Sequence, residues 1–92
     1  MNTAVLLAAS TELNKVEPID NSTQSILESV GQDLFEAVSS TDGEGNSFFM
    51  VAGLQSVKFG LLSLAMHIKD SRIDLMINII DDEIRQEFKL AA

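Results

Sequence analysis

Ser56 is the residue of this chain whose place in the sequence best suits chemistry. From Ser56 to about Lys69 the apolar residues recur at helical spacing, so Ser56 is predicted to begin a helix. The free N–H groups and the positive dipole end at a helix start favour an anion, and would stabilise a phosphodiester on the Ser56 hydroxyl. The alternative is that Ser56 only caps the helix, which is the common role of such a serine.

Few other residues are candidates for chemistry. The chain has no Cys and a single His, His67, which excludes disulfides, thiolate metal sites and histidine-rich metal sites. A lone helical His is more often a polar surface residue than a base. The acids Asp81, Asp82 and Glu83 are read as residues that favour the first turn of a helix rather than as a cation site. The loop 42–46 lacks the ligand spacing of a calcium loop, so no metal site is predicted.

The secondary structure around Ser56 is predicted to consist of helices only. Residues 1–19 are predicted to be an N-terminal extension or a loosely attached helix that ends at Pro18. Residues 20–92 are predicted to form an all-α four-helix bundle with a long loop after its first helix and a short third helix. The predicted helices are Asn21 to Val38, Ser56 to Lys69, Leu75 to Ile80 and Asp82 to Leu90, with the loop at Ser39 to Ser47.

The helix that follows Ser56 has two apolar faces. One face suits a core, and the second can be offered to a ligand or partner. A narrow face of small and polar residues lies between them. The core face contains Val57, Leu61, Leu64, Ala65 and Ile68, the second face Phe59, Leu62 and Met66, and the narrow face Ser56, Gly60, Ser63 and His67.

The order of elements and the residues around Ser56 resemble the acyl carrier protein family over about residues 20 to 90. Gly53, Ser56 and Val57 match the attachment motif of that family, and Phe48 stands where the family often has an aromatic that anchors the long loop. The usual Asp before the serine is Gln55 here, which leaves open which transferase acts on it.

The resemblance implies a carrier and not an enzyme. A phosphopantetheinyl transferase would move 4′-phosphopantetheine from coenzyme A to Ser56, and the thiol of that arm would hold acyl groups as thioesters. The partners would be a ketosynthase, an acyltransferase or other acyl-processing enzymes. The narrow face would accommodate the arm, and an apolar cleft lined by Leu61, Leu64, Met76 and Ile80 would shelter the acyl chain. Partner recognition is assigned to Gln55, Val57, Phe59, Leu62 and Met66.

The distribution of charge refines this expectation. The chain has 92 residues and a net charge of −8; residues 1–55 contain eight acids and one base, and the helix after Ser56 contains no acid. Carriers of fatty acid synthesis usually present an acidic helix there, so a carrier of polyketide or other specialised biosynthesis is expected. The acidic balance argues against nucleic acid as a partner. With no adequate signal or membrane segment, a cytoplasmic monomer that does not bind membranes is expected.

Two alternatives stay open at this point. A peptidyl carrier would use the same serine. A small α-helical adaptor, secretion chaperone or inhibitor would instead bind a protein partner through Phe59, Leu62 and Met66, with Ser56 as a mere helix cap.

Overall fold

A computed structural model describes the backbone of residues 3–39 and 47–91, and the side chains of residues 4–39 and 51–86. The described residues form four α-helices and no strand, which confirms the prediction of an all-α four-helix bundle. Residues 42–46, for which no calcium site is predicted, lie outside the described residues, as does most of the predicted loop at 39–47. The helices are α1 (Thr3–Leu13), α2 (Asn21–Ser39), α3 (Ser47–His67) and α4 (Ser71–Ala91).

Each helix packs against two others: α3 packs against α2 on one side and α4 on the other, and α1 likewise packs against α2 and α4. One continuous apolar core joins all four helices and excludes water from their interfaces. The fully buried side chains of this core are Leu6, Val30, Leu54, Val57, Leu61, Leu64, Ile73, Met76 and Ile80.

Helix α1 belongs to this core. Leu6, Ala9 and Leu13 recur at i, i+3 and i+7, and all three are buried, as is Val16 just beyond the helix end. The segment predicted to be an extension or a loosely attached helix therefore supplies one of the four helices.

Helix α2 matches its predicted limits within one residue, because its start is strongly marked. The Asp20 carboxylate accepts a hydrogen bond from the N–H of Thr23 at 2.8 Å, and the buried Thr23 hydroxyl accepts one from the N–H of Asp20 at 3.1 Å. This reciprocal arrangement satisfies donors that a helix start leaves without a partner. The hydrogen bonds from Thr23 lower the pKa of Asp20 below 3.8.

Helix α4 is one continuous helix where two shorter helices are predicted. The Asp70 carboxylate accepts a hydrogen bond from the N–H of Arg72 at 2.9 Å and so caps the start of α4. From Ser71 to Ala91 the helix is continuous, so the predicted short third helix and the predicted last helix are one element. Its core-facing residues Ile73, Met76, Ile80 and Ile84 keep helical spacing across the position where a break was predicted.

Two glycines allow α3 to approach α2 closely. A Cβ atom on Gly53 would lie 3.3 Å from the Cβ of Ala37, and a Cβ atom on Gly60 would overlap the Cγ2 atom of Val30. Val30 is buried and β-branched, so its side chain has little freedom to move away. These two glycines of α3 therefore serve helix packing.

We expect Gly60→Ala to lower the free energy of unfolding. Overpacking costs about 1–3 kcal/mol, while the higher helix propensity of Ala contributes about 1 kcal/mol in the other direction, so a net loss of up to about 2 kcal/mol is expected. The matched control is Gly31→Ala in α2, whose new Cβ meets nothing within 4 Å and should stabilise the protein by about 0.5–1 kcal/mol. Urea unfolding measures the free energy of unfolding of both variants. If Gly60→Ala stabilised the protein as much as Gly31→Ala does, the close packing of Gly60 against Val30 would be contradicted.

Candidate functional site

Ser56 does not begin a helix. Helix α3 starts at Ser47, so Ser56 lies about two and a half turns into it. The backbone N–H groups around Ser56 are hydrogen-bonded within the helix. The N–H groups that a helix start leaves free for an anion are those of the first turn, which begins at Ser47. The prediction that Ser56 caps or begins a helix is therefore wrong. Phe48, which the resemblance gave as the aromatic that anchors the long loop, has its backbone in the first turn of α3.

The Ser56 side chain is nevertheless accessible. Ser56 and its neighbour Gln55 are both exposed to solvent on the side of α3 that faces away from the core. The next residue, Val57, is buried in the core at 1 % exposure, so it cannot contact a partner as predicted. Of the predicted attachment motif, the hydroxyl and Gln55 remain available to another molecule.

The surroundings predicted to accommodate a cofactor arm and an acyl chain are packed by the protein itself. Gly60, in the middle of the narrow face, lies against Val30 of α2. The predicted cleft residues are all members of the core, each at most 2 % exposed, so they fill the α3–α4 interface instead of lining a cleft. They are Leu61, Leu64, Met76 and Ile80.

The second apolar face of α3 is exposed. Phe59 is 70 % exposed, Leu62 42 % and Met66 82 %. They occur at i, i+3 and i+7, opposite the buried residues Val57, Leu61 and Leu64, and span about 10 Å of helix. We call these three residues the α3 stripe. Large apolar side chains grouped on one face are typical of a surface that binds another molecule.

One edge of α3 is tied to α4 by charge. The Lys58 ammonium donates to the Asp81 carboxylate at 2.7 Å, and Arg85 lies 2.6 Å from the other oxygen of Asp81. The hydrogen bond from Lys58 lowers the pKa of Asp81 below 3.8. Sequence analysis did not find this pairing, because its partners are far apart in the chain and only the packing of α3 on α4 brings them together.

The acidic cluster at residues 81–83 lies in the middle of α4 and not at a helix start as predicted. Asp81 pairs with Lys58 and Arg85, while Glu83 is buried at 4 % exposure. Within the described part of the chain, no group of His, Asp and Glu side chains is arranged to hold a metal ion. His67 is exposed in the last turn of α3, where it adds a smaller contribution to the lowered pKa of Asp20 than Thr23 does.

None of the helices in the described segments is long and apolar enough to cross a membrane. Comparisons with models of protein families, with curated proteins and with solved structures gave no significant match to this chain. Function is therefore inferred from the residues and their geometry.

Proposed function

We propose that this chain is a small helical adaptor that holds a protein partner on the α3 stripe. The observation that carries the proposal is the exposure of Phe59 and Met66 on the outer face of α3. A helix that is apolar on two faces buries one in its own core, and here the second face stays exposed to solvent. Clustered aromatic and methionine side chains are enriched where proteins bind one another.

The partner that fits is an apolar helix face of a different protein. The spacing i, i+3 and i+7 matches the side-chain rows by which helices pack. Helix α3 contains no acid, and its base Lys58 is already paired with Asp81, so the stripe offers no charge to a partner. A second copy of the chain is disfavoured because two molecules of charge −8 repel one another.

Three side chains supply only part of the about 800 Å² that each partner buries in a stable complex. We therefore infer that the contact continues along the same face of α3. Gln55 and Ser56, which are both exposed next to the stripe, would form the polar edge of this interface.

Site-specific photo-crosslinking in the producing cell locates this surface. A photoreactive phenylalanine analogue at position 59 should give an adduct of defined mass with one other protein, identified by mass spectrometry. The same analogue at position 75 is the control, since Leu75 is exposed to a similar degree on α4. Equal adducts from both positions would contradict the proposal, and an adduct between two copies of the chain would assign the stripe to self-association.

The second candidate is the acyl carrier, and the accessible hydroxyl of Ser56 favours it. In that role 4′-phosphopantetheine would be attached to Ser56 and would hold acyl groups in polyketide or other specialised biosynthesis. Gln55, Phe59, Leu62 and Met66 would contact the transferase and the acyl-processing enzymes.

Intact-mass spectrometry separates the two candidates. After incubation with coenzyme A and a broad-specificity phosphopantetheinyl transferase, a carrier gains one phosphopantetheinyl group and Ser56→Ala does not. Ser63→Ala is the matched control on the same helix and should load as the wild type does. Because Ser56 lies within α3, we expect no gain in mass; complete loading of the wild type, lost in Ser56→Ala, would establish the carrier.

A further inference from the structure

A second surface lies between α1 and α2, on a part of the molecule that the α3 stripe does not include. The end of α1, the connecting residues and the first half of α2 enclose an open groove with a volume of about 510 Å³. We call it the α1–α2 groove. The apolar side chains of Leu13, Val16 and Leu27 line its interior. The polar side chains of Asn14, Gln24 and Glu28 line its rim. Its size is within the usual range of binding pockets.

Gly31 leaves this groove open. A glycine in the interior of a helix destabilises it by about 0.5–1 kcal/mol relative to Ala, and Gly31 lies in the middle of α2. Gly53 and Gly60 are explained by close helix packing, whereas a Cβ atom on Gly31 would meet nothing within 4 Å. The packing of this chain therefore gives no reason for a glycine at position 31, and the missing side chain keeps space free in the groove wall.

The chain around the groove is strongly acidic. Residues 12–36 contain six acids and one base, a net charge of −5. The base, Lys15, lies 3.0 Å from the Glu12 carboxylate and is engaged with it. Glu28 on the rim is exposed, and the acids of α2 have no Lys or Arg on their own helix. A groove with an apolar interior and a polar rim that lies within a negative field attracts a positively charged ligand.

We infer that the α1–α2 groove binds a basic segment of a partner protein that inserts an apolar side chain over Gly31. The apolar interior takes the inserted side chain, while Glu28 on the rim, together with the field of the other acids of residues 12–36, attracts the Lys and Arg residues of that segment. The inference goes beyond the proposed adaptor function, because it adds a second binding surface that does not share a residue with the α3 stripe. A chain with both surfaces can connect two partners.

An NMR titration with two designed peptides tests the inference. One is a 12-residue peptide with leucines on one helical face and lysines elsewhere; the other has glutamate in place of every lysine. The lysine peptide should give saturable shifts at the amides of Val16, Leu27 and Gly31, and these should weaken as salt is added. The glutamate peptide should give none. Equal binding of both peptides, or shifts confined to the α3 stripe, would overturn the inference.

Substitutions at Gly31 separate binding in the groove from general attraction to an acidic protein. Gly31→Leu fills the space without changing the charge and should weaken binding of the lysine peptide at least ten-fold, while Gly31→Ala should keep most of it. Glu28→Gln, which leaves the groove open, should weaken binding about three-fold. Wild-type affinity in both Gly31→Leu and Glu28→Gln would overturn the inference. Phe59→Ala should bind the lysine peptide normally, so this result is independent of the proposed function.

Discussion

Leu6→Ala is expected to lower the free energy of unfolding by about 2–5 kcal/mol, the usual cost of truncating a fully buried leucine. Leu6 is 0 % exposed in the first half of α1, where it joins α1 to the common core. Small domains are stable by only about 5–15 kcal/mol, so this single change removes a large part of the total.

The neighbouring residue provides the control for this prediction. Leu7 is 57 % exposed on the same helix, and Leu7→Ala should change the free energy of unfolding by no more than about 0.5 kcal/mol. Urea unfolding followed by circular dichroism measures both variants. If Leu6→Ala does not fold while Leu7→Ala does, the loss of stability is even larger than expected and the prediction is still confirmed. Equally small effects would show that α1 is a detachable extension.

Phe59→Ala is expected to weaken binding of the crosslinked partner at least ten-fold, because one large aromatic at the centre of an interface commonly contributes about 2 kcal/mol or more. Adding Met66→Ala should raise the loss beyond about a hundred-fold if both side chains enter the same partner surface. The fold should remain intact, since both side chains are mostly exposed and neither supports the core.

Isothermal titration calorimetry with the purified partner measures these affinities. Leu75→Ala removes an exposed apolar side chain of α4 and should bind as the wild type does. A loss of affinity in Leu75→Ala equal to that in Phe59→Ala would show that the partner does not distinguish the stripe from other exposed apolar residues.

Sequence patterns predict an element well where local chemistry and periodicity agree. Helix α2 has a capping residue, Asp20, ahead of a regular apolar spacing, and its limits are predicted almost correctly. The division of α3 into a buried and an exposed apolar face is also confirmed, since Val57 and Leu61 are buried while Phe59 and Met66 are exposed.

The patterns fail where only tertiary packing decides. The start of α3 is apolar on all sides and contains Gly53, so periodicity cannot distinguish it from a loop that folds onto the core. Helix α1 consists mostly of small and aliphatic residues without a charged face, and only its contacts with α2 and α4 show that it belongs to the bundle. The α1–α2 groove also depends on those contacts. The sequence feature that points to the groove is Gly31, a glycine in the interior of α2.

The continuity of α3 from Ser47 to His67 places Ser56 within a helix and not at its start, and so bears on both candidate functions. Amide hydrogen exchange followed by NMR tests it directly. We predict that the amides of Leu54, Gln55 and Ser56 exchange as slowly as those of Leu61 and Leu62, since all are held by helical hydrogen bonds. If the amides up to Ser56 exchange at the rates of a loop and protection begins only after Ser56, the continuity of α3 is contradicted and Ser56 lies at the start of a helix.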